Sequence, residues 1–288
     1  MAEDITILIP AYNAEKTIGK TIDAIINQTY DKNLIRLVLC NDGSKDGTLD
    51  VLKKYQTQYP NMIEVIDQEN KGISTTRKIL LEHVKTKWCC FCDADDIYSP
   101  NTFKQMIKAA KPDTDIVVSK VVWYKKHTFF RGLYANFFNK RFTLEKYIHK
   151  CDYSYLWNKL YRYEFIKQVN PYFPDRVGMW EDLFASIQLL QNKPKLAFCT
   201  KHTYTYVKGS ASGNISLNVK EKECKNFIVM YKWIVENIKN QELIDNYFVS
   251  CEMILKYIRQ YDYIRQLEVI HKPVVKKMAL WRKIICWI

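Results

Sequence analysis

Apolar segments of strand length alternate with amphipathic helical patterns over residues 1–119, and this alternation restricts the fold more than any other feature of the chain. The clearest apolar segments, residues 4–10, 35–40 and 88–92, are each closed by proline, asparagine or aspartate. A helix predicted to be capped by Asn13 separates the first two, because isoleucines recur there at helical spacing. Strands separated by such helices predict an α/β fold with a doubly wound, mostly parallel sheet flanked by helices.

Polar clusters follow three of the predicted strands, at residues 10–13, 41–44 and 93–96. In a doubly wound sheet, ligands bind beyond the carboxyl ends of the strands. The last cluster places three carboxylates within four positions, and like charges so close together repel unless a cation neutralises them. Mg²⁺ and Mn²⁺ prefer such oxygen ligands, which predicts a metal that bridges a diphosphate. The alternative is an acidic turn that caps the helix after Ser99.

The net charge of +13 suits three kinds of partner: nucleic acid, an anionic membrane surface or a phosphorylated substrate. Only 9 of the 44 basic residues are arginine, the usual residue for base-edge and bidentate phosphate contacts, so no nucleic-acid partner is expected. The chain lacks the glycine-rich loops of dinucleotide dehydrogenases and P-loop NTPases, which disfavours both classes. A non-catalytic basic protein that binds nucleic acid or anionic membranes is the alternative to an enzyme.

The sequence predicts neither export nor membrane insertion. The N-terminus has no basic region followed by an apolar core, and no run of about 18 uncharged apolar residues occurs. The nine cysteines are scattered without the spacing of a zinc site, which favours buried free thiols in a reducing cytosol. A cytoplasmic protein is therefore predicted, and its basic C-terminal segment leaves open a peripheral position on the inner face of the cell membrane.

Six motifs follow one another between residues 4 and 210. They are Ile7-Leu-Ile-Pro-Ala-Tyr-Asn13, Asn41-Asp-Gly-Ser44, Asn70-Lys-Gly-Ile-Ser-Thr-Thr-Arg77, Asp93-Ala-Asp95, Trp157-Asn-Lys-Leu-Tyr161 and Trp180-Glu-Asp-Leu183. In this order they resemble the motifs of family 2 glycosyltransferases with the GT-A fold, of the bacterial surface-polysaccharide type. Asn41 stands where the family often has aspartate, and Thr76 and Lys78 replace the usual A-R-N ending, which bears on nucleotide preference.

The resemblance implies a UDP-sugar donor, with Mn²⁺ or Mg²⁺ as the cofactor. The donor-binding residues that it implies are Pro10, Ala11, Tyr12, Asp42, Arg77, Asp93 and Ala94, and the implied metal ligand is Asp95. Asp42 is expected to accept a hydrogen bond from the uracil ring, and Arg77 to support the nucleotide by holding Asp42 in place. The alternatives are that Asp42 is a plain turn residue and Arg77 an exposed helix cation.

Glu181 and Asp182 precede an apolar helical pattern and fall in the first turn of the predicted helix. The helix macrodipole favours acids there, which alone can explain them. The same dipole is expected to lower the pKa of the Asp182 carboxyl and keep it ionised. The resemblance implies that Asp182 is the general base that deprotonates the acceptor hydroxyl, in a single displacement that inverts the anomeric centre.

Residues 120–180 mix aromatic and basic side chains, which suits an acceptor cleft but also an ordinary packed surface. The candidates for contact with the acceptor, or for a lid, are Trp157, Lys159, Trp180, Glu181, His202 and Lys208. His202 is interpreted either as a further metal ligand or as structural. The resemblance implies transfer of a hexose or N-acetylhexosamine to a glycan or lipid-linked acceptor.

The predicted GT-A catalytic domain spans residues 1–215, with a nucleotide-sugar-binding half at 1–119 and an acceptor-binding half at 120–215. A helical C-terminal extension is predicted at 216–288. Its last part, residues 272–288, carries five Lys or Arg, no acid and two tryptophans, which is typical of a helix that lies on an anionic membrane. A terminal helix docked on the core is the alternative.

Overall fold

The computed structural model describes residues 3–125, 142–150, 153–175, 177, 180–208, 221–257 and 260–270. The chain divides into two compact units, Met1–Asn214 and Ile215–Ile288. The strands are β1 (Ile5–Ala11), β2 (Ile35–Asp42), β3 (Ile63–Gln68), β4 (Trp88–Phe91), β5 (Ile97–Tyr98), β6 (Ile116–Lys125), β7 (Lys159–Arg162) and β8 (Leu196–Lys208). The helices are α1 (Ile18–Ile26), α2 (Thr48–Gln58), α3 (Ile73–Glu82), α4 (Thr102–Ala109), α5 (Leu144–Lys150), α6 (Tyr163–Val169), α7 (Glu181–Gln191), α8 (Glu221–Asn237), α9 (Gln241–Tyr257) and α10 (Tyr261–Ile270).

The eight strands form one sheet in the order β3-β2-β1-β4-β7-β6-β8-β5. The first four strands of this order pair in parallel, as expected for strands joined by helices. β7 pairs antiparallel with both β4 and β6, β8 pairs in parallel with β6, and β5 pairs antiparallel with β8. The predicted α/β sheet with flanking helices is confirmed, and its second half is mixed in strand direction.

The core of the first unit lies on both faces of the central strands. All seven residues of β1 are buried, which explains why its sequence reads as a continuous apolar run rather than an alternating one. On α1, isoleucines such as Ile18, Ile22 and Ile25 are buried at helical spacing. The alternation of helical and strand patterns in the sequence therefore follows from this packing.

The first helix begins later than predicted, because Asn13 is not its cap. Asn13 has a φ of 50° and accepts a hydrogen bond from the Lys45 N–H at 2.8 Å, while its own N–H donates to Ser44 Oγ at 3.0 Å. The α-helix starts only at Ile18. Asparagine tolerates this left-handed conformation, and here it ties together the loops that follow β1 and β2.

Seven cysteines of the described residues are free and buried. Three of them, Cys89, Cys90 and Cys92, lie on or directly after β4. Burial raises the pKa of the Cys89 and Cys92 thiols well above the usual value, so they stay protonated and inert. The predicted buried free thiols are confirmed for these seven.

The second unit is helical in its described part. The helices α8, α9 and α10 pack on one another, and the rings of Tyr231 and Tyr247 stack at 6.1 Å between α8 and α9. Leu267 of α10 is completely buried. None of the helices in the described ranges is both long and apolar enough to cross a bilayer. Residues 272–288, predicted to bind membranes, lie outside the described residues.

Candidate active site

The carboxyl ends of β1, β2 and β4 lie side by side, because the three strands pair in parallel. Ala11 pairs with Asn41 near the ends of β1 and β2, and β4 ends just before residues 93–96, the aspartate turn. Pro10 and Ala11 are buried within β1, whereas Tyr12, directly after it, is 45% exposed. Of the three residues predicted to line the base and ribose pocket, Tyr12 is therefore the one whose side chain is open to a ligand.

The buried Asp42 carboxylate closes the loop that leads into α3. Its Oδ1 accepts hydrogen bonds from the Lys71 N–H and the Gln68 side-chain amide, both at 2.8 Å, and its Oδ2 accepts one from the Gly72 N–H at 2.9 Å. Gly72 has a φ of 84°, which only glycine adopts without cost. Oδ2 retains a second lone pair, so the structural role of Asp42 leaves room for one hydrogen bond from a ligand.

The three carboxylates of the aspartate turn have different surroundings. Asp93 and Asp95 are half-buried, whereas Asp96 is completely buried. Asp96 Oδ2 accepts a hydrogen bond from the Tyr204 hydroxyl at 2.7 Å, and its Oδ1 accepts one from the Val207 N–H at 2.9 Å. Burial raises the pKa of the Asp96 carboxyl well above its usual value, and Asp93 and Asp95 add to the rise. Asp96 thus belongs to the interior, and the other two carboxylates face outward.

The outward part of the turn is anchored to two helices. Burial raises the pKa of the Asp93 carboxyl to about 6, although the nearby Arg77 opposes the shift and Asp95 adds to it. Arg77 lies on α3, and its Nη2 is 3.2 Å from Asp93 Oδ1. The Ala94 carbonyl accepts a hydrogen bond from the Thr21 hydroxyl of α1 at 3.1 Å. Helices on both sides of the turn therefore hold it in place.

The Arg77 guanidinium also connects this turn to the beginning of α7. Its Nη1 donates to Glu181 Oε1, and both side chains are buried. Burial alone would lower the pKa of Arg77, but Glu181 and Asp93 raise it above its ordinary value, so the group stays charged. The predicted contact of Arg77 with Asp42 is wrong, as is the alternative of an exposed helix cation. The guanidinium pairs with two carboxylates instead, and main-chain N–H groups hold Asp42.

The helix α7 begins abruptly at the two acids. Trp180, the residue before them, has a φ of 64°, and its carbonyl accepts the Phe184 N–H at 2.9 Å. A bulky residue rarely adopts this left-handed conformation. Strained residues of this kind concentrate at functional sites, so the backbone at Trp180 agrees with the placement of Glu181 and Asp182 in the candidate site.

The Asp182 carboxyl differs from its prediction in the direction of its pKa shift. Burial raises the pKa of Asp182 to about 8, the neighbouring Glu181 adds to the rise, and Arg77 opposes it. The prediction that the helix macrodipole lowers this pKa is wrong, because burial beside a second carboxylate outweighs a dipole effect of about 0.3–1 kcal/mol. Asp182 Oδ1 accepts the Leu183 N–H at 2.8 Å. A carboxyl with such a pKa is close to the value that suits a general base near neutral pH.

Two of the acceptor candidates lie inside the protein. Trp157 is 2% exposed, and its ring stacks on those of Tyr155 at 4.3 Å and Tyr204 at 4.8 Å. Lys159 is 4% exposed, and its ammonium donates to Asn158 Oδ1 at 3.1 Å and to the Tyr155 carbonyl. The prediction that these two side chains contact an acceptor is wrong, because they are occupied in packing at the start of β7.

His202 lies on β8, away from the aspartate turn. Asp96, the neighbour of Asp95, accepts a hydrogen bond from the Val207 N–H. Val207 lies five residues further along β8 than His202, which corresponds to about 16 Å of extended strand. A role for His202 as a ligand of a metal at Asp95 is therefore wrong. Lys208 is the last residue of β8, and its side chain lies outside the described residues.

Within the part of the chain that the structure describes, no group of three or more His, Cys, Asp or Glu side chains could hold a metal ion by itself. Mg²⁺ in enzymes usually keeps several waters and binds through one or two carboxylates together with substrate phosphates. The half-buried carboxylate of Asp95, beside Asp93, fits this second kind of site. A cation here would require the diphosphate of a ligand to complete its coordination.

Two contacts on the interior side of the site are not predicted by the sequence. Tyr204 contacts both Asp93 and Asp96 through its hydroxyl, and Glu181 pairs with Arg77 across 104 positions of the chain. Neither pairing leaves a local pattern in the sequence, because both depend on how β8 and α7 reach the end of β4.

The mixed α/β sheet with flanking helices has the GT-A fold, and two solved structures share this fold. Staphylococcus aureus TarS 1–349 in complex with UDP-GlcNAc has a TM-score of 0.68 at 19% identity, over 91% of this chain and 74% of that one. The mannosyltransferase PcManGT of Pyrobaculum calidifontis, in complex with GDP-Man and Mn²⁺, has a TM-score of 0.56 at 14% identity, over 94% of this chain and 74% of that one.

The chain belongs to glycosyl transferase family 2, because residues 6–178 match the model of that family. The predicted family and fold are confirmed. The minor teichoic acid biosynthesis protein GgaB of Bacillus subtilis is 26% identical over 83% of this chain and 27% of that protein. The cholesterol galactosyltransferase of Borreliella burgdorferi is 28% identical over 76% of this chain and 64% of that protein. The chain therefore spans less than two thirds of the length of these relatives.

Proposed function

We propose that this chain is a metal-dependent inverting glycosyltransferase of cell-surface polysaccharide synthesis. It transfers a hexose or N-acetylhexosamine from a UDP-sugar to a glycan or lipid-linked acceptor. Membership of family 2 supports the reaction type. The UDP-GlcNAc bound by TarS supports the donor, and the teichoic acid and cholesterol in the names of GgaB and the cholesterol galactosyltransferase support the two kinds of acceptor.

The double ion pair of Arg77 carries this proposal. The guanidinium contacts Asp93 of the aspartate turn and Glu181 at the start of α7. It therefore brings the predicted metal ligand Asp95 and the predicted base Asp182 into one site, although they are 87 positions apart in the sequence. A donor diphosphate at Asp95 and an acceptor hydroxyl at Asp182 can then lie on opposite sides of the same anomeric carbon.

The donor is held along the carboxyl edge of the sheet. Tyr12, the exposed residue after β1, covers the base and ribose, and Asp42 Oδ2 accepts a hydrogen bond from the uracil ring. Asp93 and Ala94 contact ribose or sugar. Arg77 acts on the donor indirectly, through its ion pair with Asp93, rather than by touching the nucleotide.

The metal ligand in this proposal is Asp95, with Mn²⁺ or Mg²⁺ as the cation. When bound, the cation supplies positive charge that neutralises the diphosphate as it leaves. The Mn²⁺ in the PcManGT complex supports a divalent ion in this fold. Asp93 lies beside Asp95 and pairs with Arg77, which limits the like-charge repulsion that two adjacent carboxylates would otherwise suffer.

Asp182 performs the proton transfer. Its carboxylate accepts the proton of the acceptor hydroxyl as that oxygen attacks the anomeric carbon from the face opposite the diphosphate. One displacement of this kind inverts the anomeric centre. Trp180 and Glu181 fix the start of α7 from which Asp182 projects, and Lys208 remains a candidate for the lid.

The organisation of the chain belongs to the same proposal. Residues 1–215 form the catalytic domain, in which 1–119 bind the nucleotide sugar and 120–215 the acceptor, and 216–288 form a helical extension. The five cations and two tryptophans of residues 272–288 support a peripheral position on the inner face of the cell membrane.

A panel of UDP-sugars tests the proposal. We expect one of them to release UDP in the presence of Mn²⁺ or Mg²⁺, and chelation to stop the release. Asp95→Ala should abolish this activity while the melting temperature stays near that of the wild type, because the side chain is only half-buried. Full turnover of Asp95→Ala in chelator contradicts the metal assignment. Binding of an oligonucleotide in place of any nucleotide sugar contradicts the whole proposal.

A further inference from the structure

The aspartate turn rests on a completely buried tyrosine of β8. The Tyr204 hydroxyl accepts a hydrogen bond from the Asp93 N–H at 3.2 Å and donates one to Asp96 Oδ2 at 2.7 Å. One phenol thus uses both its acceptor and its donor capacity on the first and last residues of the turn. Asp95, the proposed metal ligand, lies between these two anchored positions.

The second oxygen of Asp96 strengthens the same connection. Asp96 Oδ1 accepts the N–H of Val207, three residues further along β8 than Tyr204. A buried donor or acceptor without a partner is costly. The turn therefore has one arrangement in which the Asp93 N–H and both oxygens of Asp96 are satisfied, and β8 determines that arrangement.

The position of the hydroxyl is fixed by the packing of its ring. Tyr204 stacks on Trp157 with 4.8 Å between ring centroids and 7° between ring planes. On another side its ring meets Tyr98 edge-on at 5.0 Å. Contacts of both kinds favour one ring orientation, so the hydroxyl cannot follow the turn if the turn shifts.

We propose that Tyr204 is a positioning residue for the metal-binding carboxylate. Its hydroxyl holds the turn in the one conformation that presents Asp95 to a divalent cation bound together with UDP, and it thereby sets the affinity for that cation. This inference rests on the proposed function, since that function supplies the role of Asp95. Replacement of residues that orient metal ligands without binding the metal themselves commonly changes metal affinity by about 10- to 100-fold.

The test is the Mn²⁺ affinity of Tyr204→Phe in the presence of UDP, measured directly from the electron paramagnetic resonance signal of free Mn²⁺. The variant keeps the stacked ring and loses only the hydroxyl. We expect the Kd for Mn²⁺ to rise about tenfold or more. The Mn²⁺ concentration for half-maximal UDP release should rise in parallel, whereas kcat at saturating Mn²⁺ stays near the wild-type value.

Tyr161→Phe is the matched control. Tyr161 is also completely buried, and its hydroxyl donates to a main-chain carbonyl, that of Leu156, at 3.0 Å. The control therefore loses one buried hydrogen bond without touching the aspartate turn, whereas Tyr204→Phe loses the two that hold the turn. Its melting temperature should fall less than that of Tyr204→Phe, because fewer buried polar groups lose a partner, and its Kd for Mn²⁺ should not change.

Three results overturn the proposal. The first is an unchanged Kd for Mn²⁺ in Tyr204→Phe, and the second is an equal rise in Tyr161→Phe. The third is a wild-type protein that binds no Mn²⁺ with UDP, which defeats the metal assignment of the proposed function as well and is thereby distinguished from the first two.

If Tyr204→Phe does not fold, Asp96→Asn replaces it, because the amide keeps an acceptor for Val207 and removes the acceptor of the Tyr204 hydroxyl. Unchanged Mn²⁺ affinity in Asp96→Asn then overturns the proposal.

Discussion

At the scale of single residues, the two adjacent acids of α7 lie in different surroundings. Glu181 is buried and committed to the Arg77 guanidinium, so it cannot reach an acceptor without breaking an ion pair in the interior. Asp182 is half-buried and accepts one hydrogen bond from its own helix. The difference in burial, which the sequence does not show, favours Asp182 as the base and Glu181 as part of the frame.

Replacement of Asp182 by asparagine tests this division. We expect Asp182→Asn to lower kcat by about 10²-fold or more, the usual scale for a positioned base, with donor KM and Mn²⁺ affinity unchanged. Steady-state kinetics with the identified donor and acceptor measure the effect. Glu181→Gln is the neighbouring control. It should clearly lower the melting temperature and change kcat only slightly. A near-normal kcat in Asp182→Asn together with a large loss in Glu181→Gln assigns the base to Glu181.

The raised pKa of Asp182 predicts a pH dependence. A carboxyl whose pKa is raised to about 8 is protonated below that value, and only its deprotonated form accepts a proton. kcat/KM should therefore increase about tenfold per unit as pH rises toward 8 and level off above it. The profile is measured between pH 6 and 9.5, within which the wild type should remain folded. A profile that is flat from pH 6 to 8 contradicts the assignment, as does an identical inflection in Asp182→Asn.

At the scale of secondary-structure elements, Arg77 joins three parts of the first unit. It lies on α3 and pairs with the turn after β4 and with the start of α7. A buried ion pair of this kind adds little net stability, but removal of one partner leaves an uncompensated charge in the interior. The side chain that the resemblance assigned to the donor is therefore first a structural connection within the site.

A double-mutant cycle measures this connection. Arg77→Met should destabilise the protein by about 3–5 kcal/mol, because Glu181 is left buried without its partner. The double variant Arg77→Met/Glu181→Met should recover a large part of that loss, since two apolar side chains replace the pair. Chemical denaturation of Arg77→Met, Glu181→Met and the double variant gives the coupling free energy. Simple additivity of the two single substitutions would show that the pair is not coupled.

The elements also show which parts of the molecule the sequence can predict. The strands β1, β2 and β4 and the helices between them follow from local apolar patterns, because each buries its own apolar surface. The antiparallel insertion of β7 between β4 and β6 depends on pairing between distant segments and has no local signal. The prediction of Asn13 as a helix cap is wrong for a similar reason, since its partner Lys45 lies in another loop.

At the scale of the whole molecule, the chain divides into two units, of which the second is helical in its described part. The first unit carries every proposed catalytic and donor-binding residue, from Pro10 to Asp182. The second unit, from Ile215 onward, ends in the basic segment 272–288. If the acceptor is anchored in a lipid, attachment of the enzyme to the same surface raises the local concentration of that acceptor.

Deletion of residues 272–288 tests the attachment. Each cation near an anionic surface contributes about 1 kcal/mol, and burial of the apolar side chains in the interface adds to this. We therefore expect the full chain to sediment with anionic liposomes, less so as salt is raised, and the shortened chain to remain in the supernatant. Release of UDP from free donor should survive the deletion, because the proposed catalytic residues lie far upstream.

A charge-neutral variant separates the two contributions to this binding. Replacement of Lys272, Lys276, Lys277, Arg282 and Lys283 by glutamine keeps the apolar side chains and removes all five cations of the segment. It should lose the salt-sensitive part of liposome binding, because salt screens the attraction between these cations and anionic lipids. It should keep the fold. If the shortened chain unfolds, the segment docks on the core. If it still sediments with liposomes like the full chain, the membrane contact lies elsewhere, and in both cases the proposed attachment through 272–288 is wrong.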